Sequence, residues 1–99
     1  MKVGGIGARL SPFGDTSVGH AKTKTLDART SGAIGYQWYM NGEVIDGATG
    51  ATWDVAWRKG EPDTFTVVPY FDVFGVRTAG VPMSATVTYS RAGTAIIIR

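Results

Sequence analysis

His20 is the only histidine in a chain that has no cysteine. A multi-histidine or thiolate zinc site is excluded by that count, and nothing in the sequence pairs a nucleophile with a base. His20 itself sits between Gly19 and Ala21 at the head of a predicted strand and reads as an exposed turn residue. The eight carboxylates, Asp15, Asp27, Glu43, Asp46, Asp54, Glu61, Asp63 and Asp72, include no run with calcium-loop spacing. Glu61 and Asp63 read as a solvated turn. Gly4-Gly5-Ile6-Gly7 lacks the preceding strand, the Lys-Ser/Thr pair and the following helix that would make it a phosphate cradle. No catalytic, cofactor-binding or metal-ligating residue is expected, and no cofactor.

The aromatics offer a different chemistry. Trp53 and Trp57 share a face with Val55 and read as core or sheet-edge residues. Tyr39 points away from Trp38 on its strand. Paired with an exposed Trp57, it would form a flat platform of the kind that stacks on sugar rings, so Tyr39 and Trp57 are the candidate glycan platform.

The elements that must position these side chains are strands. Tyr36, Trp38 and Met40 alternate with Gln37 and Tyr39, the period of a half-buried strand. Asn41-Gly42 follows, the dipeptide that best accepts positive φ at both central positions of a two-residue hairpin turn. Glu43 to Ile45 is the short return strand, and Thr52 to Trp57 alternates again after Asp46-Gly47 and Thr49-Gly50. Before this stretch, residues 21 to 30 form a Thr-rich strand with Leu26 and Ala28 on one face. After it, the polar turn from Arg58 to Asp63 leads into Thr64 to Val73. There Phe65, Val67, Pro69 and Phe71 share one face. Pro69 has no amide donor, so it must lie at a bulge or where the ladder is open. Phe74-Gly75 turns the chain into a last strand, or pair of strands, from Val76 to Tyr89, broken near Gly80-Val81-Pro82.

No window carries helical spacing with caps, and turn signals recur about every eight to twelve residues. The class is all-β, a two-sheet sandwich of about seven antiparallel strands. Residues 21–89 make the sandwich. Residues 1–20 form a Gly-rich, irregular N-terminal arm with one short strand around Ile6 to Leu10, and residues 90–99 form an apolar tail or last strand ending in Ile96, Ile97 and Ile98.

At 99 residues, one domain with one core is all the chain can build. Without disulfides, its stability must come from packing, with four Phe, four Tyr and three Trp as the main contributors. The net charge of +2 comes from basic residues scattered along the whole length. They do not cluster with aromatics, so no nucleic-acid partner is expected. No run reaches the length of a membrane span, no membrane partner is expected, and no secretory signal is readable. The chain therefore reads as a cytosolically made product or a piece of something larger.

The run YQWYMNGEVIDGAT, followed by ATWDV and then DTFTVVPYFD, resembles the immunoglobulin-like domains of bacterial surface proteins and phage virion proteins. Those domains carry a YQWYKNG-like strand, an IxGAT-like connection and a later strand that begins near an Asp-x-Tyr pattern. The similarity covers roughly residues 22 to 89. It implies a core in which Trp38 is the buried tryptophan, and Val67 takes the position of the second disulfide cysteine of antibody domains. Leu26 would face Val67 from the opposite sheet, and Phe65 would take the place of the corner tyrosine. Phe65 has no hydroxyl, so the hydrogen bond of that corner cannot form from its side chain.

The resemblance also implies a role. Phage proteins are made in the host cytoplasm and leave by lysis, so they need no signal and meet a reducing compartment. The expectation is a non-enzymatic structural protein of the virion that decorates or cements a capsid or tail surface. Its partners would be capsid or other virion subunits, or sister copies in a homo-oligomer. The terminal segments are the candidate contacts, through Ile6, Arg9, Leu10, Phe13, Ile96, Ile97 and Ile98, with the isoleucines suited to adding a strand to a neighbour's open edge. The alternative is a carbohydrate-binding or adhesive immunoglobulin-like module at a bacterial cell surface.

Overall fold

The computed structural model describes residues 13–90. They form eight strands: β1 (Thr16–Val18), β2 (Thr23–Asp27), β3 (Gly35–Met40), β4 (Glu43–Val44), β5 (Thr52–Ala56), β6 (Asp63–Val73), β7 (Val76–Ala79) and β8 (Met83–Tyr89). The larger sheet has the order β1-β8-β6-β3-β4, with β7 also on β6, and β2 and β5 make the smaller one. The fold is an all-β, immunoglobulin-like two-sheet sandwich.

β3 and β6 are the spine. They pair antiparallel with Trp38 opposite Val67 and Met40 opposite Phe65. Strict alternation along β6 turns Phe65, Val67 and Phe71 inward, and Leu26 and Val55 of the smaller sheet share one core cluster with Phe65 and Val67. Trp38 is completely buried at the centre (0% exposed). Its indole N–H would be costly to bury without a partner, and it donates to the Gly50 carbonyl at 2.8 Å. The Asn41-Gly42 hairpin has φ of 51° and 88°, positive at both positions.

Pro69 shows how β6 stays continuous. β8 pairs with Asp63 to Val67, β7 pairs with Tyr70 to Val73, and the break between them at 80–82 falls beside Pro69. The Pro69 carbonyl accepts from the Gly80 amide at 2.7 Å. A residue's amide and carbonyl point to the same side of a strand, so the donor that Pro69 lacks faces the break rather than a ladder partner. β7 and β8 thus act as one interrupted strand along a single edge of β6.

Three expectations need correction. β1 lies within the segment assigned to an irregular arm: Val18 is buried, and Thr16 to Val18 pair with Val87 to Tyr89. That pairing is parallel, so the sandwich is not antiparallel throughout. Third, Asp63 is not part of a solvated turn: it opens β6 and is buried (3% exposed). The strand expected around Ile6 to Leu10, and the last isoleucines, lie outside the described residues.

Candidate functional site

Two features stand out: a buried charge and an exposed apolar tip. The charge is Asp63, placed inward by the first pleat of β6. Arg58, in the turn after β5, donates from Nε to Oδ2 at 2.8 Å and from Nη2 to Oδ1 at 3.0 Å. Tyr89 at the end of β8 donates its hydroxyl to Oδ2 at 2.6 Å, and Asn41 in the first hairpin donates Nδ2 to Oδ1 at 2.9 Å. The Arg58 guanidinium also lies 5.3 Å from the centre of the Tyr89 ring. Hydrogen bonds from Arg58 hold the Asp63 carboxyl well below the usual carboxylate range, against the opposing effect of burial. Four hydrogen bonds on two oxygens leave this carboxylate committed to tying β5, β6, β8 and the β3–β4 turn together.

The apolar tip belongs to the β6–β7 hairpin. Beyond Tyr70, β6 no longer pairs with β3, and residues 71–73 pair only with β7. A two-stranded ribbon therefore runs past the end of β3. At its turn Phe74 is 100% exposed, and neighbouring Val76 is exposed as well. At the ribbon's base the exposed Ile34 donates its amide to the Tyr70 carbonyl at 2.7 Å, and Val81 is exposed just after Gly80. On the outer face the Arg77 guanidinium stacks 4.0 Å from the Tyr70 ring centre, and Arg77 pairs across the ribbon with Asp72. Sequence reading located the Phe74-Gly75 turn but not its projection, because the length of β3 relative to β6 is a matter of register.

The residues singled out from sequence fall as follows. Leu26, Phe65 and Val67 are buried with Trp38 in one cluster. Phe13 packs on that cluster too, its ring 6.0 Å from Trp38's. It also lines a groove of about 460 Å³ with Asp15, Lys24, Leu26 and Asp27. Ile6, Arg9, Leu10, Ile96, Ile97 and Ile98 lie outside the described residues.

Tyr39 and Trp57 do not share a surface. Tyr39 lies on the outer face of the larger sheet opposite Thr66, whose hydroxyl is 2.9 Å from that of Ser84. Trp57 follows β5 in the other sheet and packs against the core. It hydrogen-bonds the Ser90 carbonyl through its indole N–H and the Lys22 carbonyl through its amide, and meets the His20 ring edge-on at 4.5 Å.

No protein-family model matches the sequence, and no curated protein matches it. Among solved structures, the chain is similar to the fibronectin(III)-like modules of Clostridium thermocellum CbhA, with 15% sequence identity and a TM-score of 0.57. The likeness covers 87% of this chain and 100% of that one. It is a likeness of fold.

Proposed function

We propose that the chain is a non-enzymatic structural and binding module of a virion, made in the host cytoplasm and held on a capsid or tail surface by contacts with its subunits or with sister copies. The observation that carries the binding reading is the rigid sandwich with an apolar hairpin tip projecting from one end, Phe74 fully exposed at its apex. A chemical role has less support: the buried Asp63 carboxylate, held well below its ordinary titration range, is saturated by Arg58, Tyr89 and Asn41. The virion reading draws on the resemblance of the YQWYMNGEVIDGAT run.

The terminal segments remain part of this proposal. β1 and β8 lie side by side, with the Thr86 amide bonded to the Asp15 carboxylate at 2.9 Å and the Ser90 amide to the Val18 carbonyl at 2.9 Å. The first and last described residues, Phe13 and Ser90, thus flank the parallel pair β1–β8 at one side of the larger sheet.

The test is where the protein resides. Particles purified on a density gradient from the producing host should contain the chain at a fixed ratio to the major shell subunit by quantitative mass spectrometry. Recovery only from the soluble fraction or the cell envelope would refute the virion reading.

A further inference from the structure

We infer that Phe74 is the anchor of the contact, seating its ring in an apolar pocket on the protein surface this module binds; the inference rests on the virion reading above. The chain contains an internal control for it. Asn41-Gly42 and Phe74-Gly75 are both two-residue hairpin turns with positive φ at both positions, 51° and 88° in the first, 53° and 81° in the second. Asn accepts the left-handed backbone because its short polar side chain bonds locally, whereas a bulky side chain meets steric strain there. Asn41 also has partners within the fold, its side chain bonding Asp63 and the Thr64 amide across in β6. The Phe74 side chain, by contrast, is fully exposed.

The fold therefore bears two costs at Phe74, a strained backbone and a large apolar ring in water, and neither is offset within the domain. Non-glycine residues held in the left-handed region cluster at functional positions.

The kind of partner follows from the surroundings. Behind the tip stand one anion and one cation, Asp72 and Arg77, opposite each other in the ribbon's register, and Arg77 is stacked on Tyr70. Among the described residues the tip carries this balanced pair of charges and not the cluster of cations that attracts an anionic lipid surface. One phenylalanine with its flanking valines presents far less than the roughly 800 Å² per partner of a standard interface, and two projecting tips offer each other no pocket, so tip-to-tip pairing of two copies would enclose neither ring. A pocket that encloses the ring extracts the most from so small a contact, as buried aromatic anchors do at interface centres.

The experiment compares the full chain with Phe74→Asn, a change that suits the turn. Particles stripped of the protein are titrated with each, and the thermal midpoint of each is recorded. The expected result is at least a tenfold loss of particle affinity for Phe74→Asn, together with a midpoint equal to or above that of the unchanged protein. Equal affinities would overturn the inference, and so would a lowered midpoint, which would give Phe74 a role in folding. Binding of Phe74→Trp to phosphatidylcholine–phosphatidylglycerol vesicles, seen as a blue shift, with no Phe74 dependence on particles, would replace the protein pocket with a lipid surface. Failure of the unchanged chain to rebind would refute the virion reading itself, and that outcome is visible before any variant is compared.

Discussion

Arg58 and Asp63 form a two-point ion pair across the turn between β5 and β6, with contacts of 2.8 and 3.0 Å to the two carboxylate oxygens. The pair makes stability depend on acid. Asp63 binds a proton less readily in the folded chain than in the unfolded one. Its contribution is therefore fully present above the ordinary carboxylate pKa of about 4 and is lost as the pH falls below that value. Asp63→Asn should lower stability at pH 7 by about 1.5 to 3 kcal/mol, the range for hydrogen bonds to a charged group. It should also flatten the decline below pH 4. Urea titrations at pH 7, 4 and 3 test both, and an unchanged acid limb in the variant would contradict this role for Asp63.

Trp38 fills the centre of the sandwich. Trp38→Ala should cost about 3 to 5 kcal/mol through the lost burial and the cavity left behind. A loss under about 1 kcal/mol in denaturant titration would contradict its place as the central core residue.

Gly80 is where the interrupted strand passes closest to β6. A Cβ there would lie 2.5 Å from the Phe71 ring and 3.2 Å from the Pro69 ring, and Phe71 is buried with little room to yield. Gly80→Ala should destabilise by about 1 to 3 kcal/mol, the usual cost of overpacking. Gly14→Ala, where a Cβ meets nothing within 4 Å, should be close to neutral. Equal midpoints for the two variants in thermal unfolding would contradict the close approach.

Trp57 and Tyr39 should behave differently. Trp57 packs on the core and bonds Ser90, so Trp57→Ala should cost about 2 kcal/mol or more, whereas Tyr39→Ala on the outer face should cost roughly half of that. Neither change should alter retention on immobilised glycans. A glycan affinity lost equally in both variants, with stability unchanged, would restore the single-platform reading.

What the sequence made legible was local and periodic. Alternation around Trp38 and Val67 identified strands, Asn41-Gly42 named its own turn, and the missing donor of Pro69 required an opening, found beside Gly80. The illegible parts depend on distant partners. Val18 becomes buried because a three-residue strand pairs with Val87 to Tyr89, about seventy positions away, and no pattern within Thr16 to Val18 announces that. Asp63 resembled a turn residue because charge ordinarily marks solvent. Its hydroxyl and amide donors, Tyr89 and Asn41, come from elements 26 and 22 positions away. The projection of Phe74 depends on where β3 begins opposite Tyr70, a fact of register.

The most direct test of the account is hydrogen exchange read by mass spectrometry, on the chain free in solution and bound to particles. Binding through the hairpin end predicts that added protection concentrates in peptides spanning residues 71–79 and the loop at Ile34, with further protection allowed in the terminal segments. Protection centred instead on the outer face around Tyr39, Thr66 and Ser84, with residues 71–79 unchanged, would contradict it.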